Sequence, residues 1–195
     1  MIIGLTGNMG TGKSTVARIL VEKGILHIDA DQLARDVVLP GEPAYADIVS
    51  YFGKEILDET GRIDRQTLGG IVFSDPGERI KLEKFVHPRI IERMDEIIES
   101  RSEGVDVVID APLLIEAGLH DLVDEVWVTD CARETQIERI GKRDSLSEEE
   151  ILKRLSSQMS NEEKRSYADV VINTDGTKET LKERLDELWK QRVSC

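Results

Sequence analysis

The sequence predicts a three-layer α/β fold: a five-stranded parallel sheet between helices, with a helical substrate-binding insertion and a helical lid. Three observations predict it. The chain opens on an apolar run of strand length, a glycine-rich loop and an amphipathic stretch, in that order. Four more short apolar runs follow, each ending on Asp or Asn and most separated by helical patterns, which implies right-handed crossovers and parallel pairing. Between the second and third runs, residues 32–104 show no clear strand and read as helical.

The opening stretch organises the rest. Met1-Ile2-Ile3-Gly4-Leu5-Thr6 has the length and character of a buried strand, and Val16, Ile19 and Leu20 mark one face of a helix that Gly24 can stop. The residues between them, Gly7-Asn8-Met9-Gly10-Thr11-Gly12-Lys13-Ser14, satisfy the phosphate-loop pattern G-x-x-x-x-G-K-S/T. Glycines without Cβ let successive backbone N–H groups turn inward around phosphate oxygens, and the helix N-terminus adds partial positive charge. Gly10, Thr11, Gly12, Lys13, Ser14 and Thr15 are therefore the expected nucleotide-binding residues. Lys13 reaches toward the β- and γ-phosphates, Ser14 is placed to hold Mg²⁺, and Thr15 begins the helix beside the α-phosphate. Such a loop does not by itself name a reaction.

The second strand, Ile25 to Asp29, runs into Asp29-Ala30-Asp31, so two carboxylates stand at a strand's C-terminal end, where open α/β sheets bind ligands. Extended backbone would point them the same way, and a helix starting there would part them. In the insertion, Leu39 to Pro43 is a turn, Ala44 to Phe52 a helix, Leu57 to Arg62 a loop, and Asp64 caps a helix to Phe73. Ser74-Asp75-Pro76 starts another helix, which His87-Pro88 should interrupt because a residue before proline avoids the helical region. The strands resume at Val105–Asp110, Glu125–Asp130 and Asp169–Asn173. Residues 133–165 read as two strongly charged helices with few apolar anchors, the second opened by a Ser147–Glu150 capping box, and hence as a mobile lid. Leu181, Leu185 and Leu188 mark a closing helix. The expected organisation is a nucleotide-binding core of 1–31, 105–132 and 166–195, an insertion of 32–104 and a lid of 133–165.

Composition narrows the function. A formal net charge of −13 argues against a general nucleic-acid binder. Aromatic residues are 4% of the chain, so Ile, Leu and Val must form the core. Cys131 and Cys195 lack metal-ligand spacing and indicate a reducing compartment. With neither a signal-type segment nor a run near the ~20 apolar residues that span a bilayer, a cytoplasmic protein with no membrane partner is expected.

Phosphoryl transfer asks a protein for in-line positioning and charge neutralisation. Asp110, ending an apolar strand, is the candidate acid near Mg²⁺. Arg139 and Arg143, one helical turn apart, share a face that can close over the γ-phosphate. Asp31, expected to stand opposite the phosphate loop, is the candidate base for an acceptor hydroxyl, and Asp29 reads as a carboxylate that orients neighbours or metal-bound waters. An isolated His before Pro, His87 reads on its own as a packing or capping residue.

This combination resembles the dephospho-coenzyme A kinase family. The likeness is carried by the loop, by Ile28 to Arg35, Pro40-Gly41, Ile71-Val72-Phe73, Leu82-Glu83 with His87-Pro88, and Pro112 to Glu116. It continues through Gln136, Arg139, Arg143-Asp144, Gln158, Lys164, Ala168-Asp169 and Ile172-Asn173, in order across nearly the whole chain. Asn8, Met9 and Thr11 replace a common Gly-Gly-Ile-Gly-Ser-Gly form of the loop at variable positions. The resemblance implies a P-loop NTPase core of the adenylate-kinase type, with ATP as phosphoryl donor and dephospho-CoA as small-molecule acceptor at its ribose 3′-hydroxyl. It also implies Asp31 as base, Arg143 as lid arginine, and Arg35, His87, Pro112 and Leu113 on the acceptor side, with Asn173 at the nucleotide edge.

Two rival readings remain. A kinase for another small hydroxyl acceptor, such as a nucleoside monophosphate or sugar acid, would carry the same core. A GTPase switch is suggested by Asp58-Glu59-Thr60-Gly61, but no guanine-reading Asn-Lys-x-Asp follows.

Overall fold

The computed structural model describes residues 1–193, so Cys195 lies outside the described residues. Two compact units form: Met1–Ile28 with the chain from Glu103 onward, and Asp29–Ser102.

In the first unit, β1 (Ile2–Thr6) feeds the glycine loop and α1 (Lys13–Glu22). The expected strands form as β2 (Leu26–Asp29), β3 (Val107–Asp110), β4 (Glu125–Asp130) and β5 (Val170–Asn173), in the spatial order β2-β3-β1-β4-β5. The sheet is parallel, as the helical connections require. Its register pairs Leu5 with Asp110, Thr6 with Val128 and Asp130 with Asn173, so the strands end together at one edge. Between sheet and helices lies a core of Ile3, Leu5, Val16, Leu20, Val108 and Leu185, each at most 1% exposed. Trp127 joins that core fully buried and stacks edge-on against Trp189 at 6.3 Å, so the aliphatic core has one aromatic keystone.

Three helices, not two, follow β4: α6 (Arg133–Asp144), α7 (Glu148–Leu155) and α8 (Asn161–Ser166). The Ser147–Glu150 capping box forms. A second box, Ser160 with Glu163, starts α8. This region also has apolar anchors, because Ile140, Ile151 and Leu155 bury against Met9, Ile137 and Leu146. Within α8, Lys164 is fully buried, bonds the Pro112 carbonyl at 2.7 Å and pairs with Glu116 at 2.9 Å. The closing helix α9 (Lys178–Val193) buries Leu181 and Leu185.

The second unit is built by α2 (Ala30–Asp36), α3 (Pro43–Phe52), α4 (Arg65–Ser74) and α5 (Pro76–Glu99) around Ala44, Ile48, Phe52, Ile56, Leu68 and Val72. Asp64 and Asp75 cap α4 and α5, accepting from Gln66 N at 2.9 Å and Gly77 N at 2.7 Å. The expected break at His87-Pro88 does not occur, since α5 runs straight through it. An interior proline costs a helix ~3 kcal/mol or more. Here apolar contacts on both sides offset it: Leu82, Phe85 and Val86 before Pro88 pack on the unit's core, and Ile90 and Met94 after it are buried.

Candidate active site

The glycine loop bounds a cavity of about 470 Å³, lined by Gly10, Gly12, Lys13, Ser14 and Thr15 together with Pro112, Arg139, Arg143 and Gln158. Two of its glycines are required by their neighbours. Gly10 (φ +83) and Gly12 (φ +87) adopt left-handed backbone, where a Cβ would also stand 3.0 Å from Gln136 O and 3.1 Å from Thr174 Oγ1. The loop's shape is thus held from behind by α6 and by the turn after β5. Thr11 lines no part of the cavity. Its buried hydroxyl donates to Asn8 O at 2.7 Å and lies 2.7 Å from Thr129 Oγ1, which fastens the loop to β4.

Lys13 forms an ion pair with Asp110, made possible by the register that sets Asp110 beside Leu5. His27 Nε2 lies 3.5 Å from Asp110 Oδ2. Sequence reasoning passed over His27, although its place two residues before the end of β2 was visible. A metal at this position is tested by its donors. Among the described residues no cluster of three or more His, Cys, Asp or Glu could hold an ion. Ser14 and Asp110 offer only hard oxygens, which fits Mg²⁺, an ion that draws most of its ligands from water and nucleotide phosphates.

The two arginines differ. Arg139 is tethered, donating to Thr174 Oγ1 at 2.9 Å and Thr174 O at 2.7 Å. Arg143 is 61% exposed and, among the described residues, pairs with its neighbour Asp144 at 2.7 Å, a hydrogen bond that raises its pKa further and lowers that of Asp144. Arg143 is therefore the more mobile charge at this cavity. Asn173 is not brought to the cavity: its Oδ1 accepts from Asp175 N at 2.8 Å and its carbonyl from Arg184 at 2.9 Å. Thr174, one residue on, makes the loop contact instead, donating to Thr11 O at 2.7 Å. The turn after β5 decides this, and no sequence signal distinguished the two. Leu113, 52% exposed, also lies outside the cavity that Pro112 lines.

The helical unit contains a second cavity of about 650 Å³, whose lining includes Asp31, Arg35, Arg62, Arg65, Glu83 and His87 over an apolar floor of Val38, Leu68, Leu82 and Ile90. Asp31 and Arg35 reach it together because they are four residues apart on α2. The fork at Asp29-Ala30-Asp31 is resolved by the helix beginning at Ala30. Asp29 becomes its N-cap, accepting from Gln32 N at 2.9 Å, while Asp31 sits exposed in the first turn. The D-x-x-G of the GTPase reading is a closed turn of this unit. Asp58 Oδ1 accepts from the Thr60 hydroxyl at 2.6 Å, from Arg62 N at 3.0 Å and from Thr60 N at 2.8 Å, and these bonds, the hydroxyl's first, hold its carboxyl below the usual range.

A phosphate-binding loop at the edge of a parallel sheet, with an ammonium and two guanidinium groups around one cavity, defines a P-loop phosphotransferase. The chain belongs to the dephospho-CoA kinase family, whose model (CoaE, dephospho-CoA kinase) matches residues 1–180. It is 49% identical over 193 residues to the dephospho-CoA kinase of Geobacter sulfurreducens, covering 98% of each chain. Among solved structures, TT1252 from Thermus thermophilus superposes with a TM-score of 0.83 at 36% identity, over 98% of this chain and 97% of that one. The dephospho-CoA kinase from Campylobacter jejuni gives a TM-score of 0.70 at 29% identity, over 97% and 96%. The protein is thus a kinase with an alcohol group of a small molecule as acceptor.

Proposed function

We propose that the protein transfers the γ-phosphoryl group of ATP to the ribose 3′-hydroxyl of dephospho-CoA with Mg²⁺ bound, and that the named side chains divide the work as follows. The observation that carries this reading is the loop cavity in which Lys13, Arg139 and Arg143 accompany the turned-in backbone of Gly10 to Gly12. Loop amides and the N-terminus of α1 bind the phosphate chain. Lys13, released from Asp110 to the β- and γ-phosphates, neutralises charge on the transferred group, and Arg143 closes on it from α6. The hydroxyl of Ser14, with the carboxylate of Asp110 acting through water, would hold Mg²⁺, which would supply further neutralisation of phosphate charge.

On the acceptor side, Asp31 takes the proton of the attacking hydroxyl as that oxygen bonds to the γ-phosphorus and the bond from phosphorus to the bridging oxygen breaks, releasing ADP. Its exposure in the first turn of α2 and its freedom from the capping duty support this role. Arg35, with Arg62 and Arg65, matches the diphosphate of dephospho-CoA, and the apolar floor near His87 suits its pantetheine arm. The division into a nucleotide core, an acceptor insertion beginning just after β2 and a lid follows from the same assignment. Cytoplasmic residence is part of the reading, supported by the free, buried thiol of Cys131. The test offers Mg²⁺-ATP with a panel of hydroxyl acceptors and measures ADP. Dephospho-CoA is expected to give ADP and CoA, and its failure while another acceptor reacts would overturn the substrate assignment.

A further inference from the structure

Met9, at the mouth of the phosphate loop, is held by residues that follow β4. Gln136 Nε2 donates to Met9 O at 2.7 Å, Met9 N donates to Gln158 Oε1 at 3.3 Å, and the Met9 side chain packs on the Ile140–Ile151–Leu155 cluster. Beside them Asn8 Nδ2 donates to Met159 O at 2.7 Å. The two glutamines are not equivalent. Gln136 is 3% exposed and makes a short bond, as a structural strut does. Gln158 is half-buried, lies between α7 and α8, and lines the loop cavity together with Lys13 and Arg143.

Its bond from Met9 N is beyond the usual 2.7–3.2 Å range. Phosphoryl oxygens accept hydrogen bonds about twice as strongly as a neutral amide oxygen does. A phosphoryl oxygen arriving at the Met9 N–H would outcompete Gln158 Oε1 for it. The displaced carboxamide still has two N–H donors, and these face the same anion once the side chain turns.

We propose that Gln158 is a further residue of the phosphoryl site: it gives up Met9 N–H to the terminal phosphoryl group and donates its own Nε2–H to that group. This rests on ATP as the phosphoryl donor. It makes Gln158 a reader of triphosphate against diphosphate, whereas Gln136 only positions the loop.

The test titrates the full chain and its Gln158→Leu, Gln158→Glu and Gln136→Leu variants with ADP and with a non-hydrolysable ATP analogue. Gln158→Leu is expected to weaken the analogue about 10-fold while ADP changes by less than about 2-fold. Gln158→Glu, which sets a carboxylate against the terminal phosphate, should weaken the analogue more, by about 100-fold. Gln136→Leu should weaken both nucleotides alike and lower the melting temperature. Equal loss of both nucleotides in Gln158→Leu, or loss of neither, overturns the proposal. Wild-type protein that binds neither nucleotide, or yields no ADP with any acceptor, would instead sink the kinase reading beneath it.

Discussion

The two cavities are built by opposite means. The loop cavity draws most of its lining from one short stretch of chain, Gly7 to Thr15 without Thr11, joined by Pro112, by Arg139 and Arg143 of α6 and by Gln158 before α8. The cavity of the helical unit is collected from residues scattered between Asp31 and Ile90, across four helices and the turns that join α2 to α3 and α3 to α4. A phosphate chain is the same in every nucleotide, so backbone N–H groups in a fixed curve suffice to hold it. An acceptor must be told from other alcohols, which takes pockets and charges at particular places. Contiguous chemistry is readable from a motif, and dispersed chemistry waits on packing.

That contrast predicts graded effects. Replacing Lys13 by Ala should cost the most, about 10³-fold or more in kcat/KM, since it removes the cation that follows charge onto the transferred group. Activity retained within 10-fold of wild type would remove the loop from the chemistry. Asp31→Asn should lower kcat by about 10² to 10⁴-fold while the affinity for ATP, measured by titration, stays nearly unchanged. Normal turnover in this variant would strip Asp31 of the base role. Arg35→Ala should act on recognition instead, raising KM for dephospho-CoA about 10-fold with KM for ATP unaffected, as expected for one lost charge-assisted bond. An equal rise in both constants would mean that Arg35 serves the fold and not the acceptor.

The smallest effect separates neighbours. Asp29→Ser keeps a good N-cap oxygen and should leave kcat within about 3-fold, whereas Asp29→Ala should cost about 1 kcal/mol of stability in thermal or denaturant unfolding. A collapse of kcat in Asp29→Ser with unchanged stability would move the base from Asp31 to Asp29.

Much of the core was legible from the chain alone. The strand Glu125–Asp130, the helix caps at Asp64 and Asp75 and the Ser147 capping box all form where local pattern placed them. Two of the differences arise where tertiary contacts outvote local rules. Pro88 sits inside α5 because apolar side chains on both flanks are buried. The segment after β4 looked poor in apolar anchors, yet Met9, from the far end of the sequence, completes its cluster. Helix α8 was missed although Ser160 and Glu163 spell the same capping box as Ser147 and Glu150.

The sequence by itself determined the phosphate loop, the five parallel strands and the identity of the carboxylates at their ends, because each is set by neighbours within a few residues. Only the tertiary structure decided which of those groups meet. Strand register paired Lys13 with Asp110, the start of α2 at Ala30 assigned the cap to Asp29 and freed Asp31, and the turn after β5 put Thr174 rather than Asn173 against the loop. Backbone hydrogen bonds and side-chain burial fix such choices over distances that no local pattern spans.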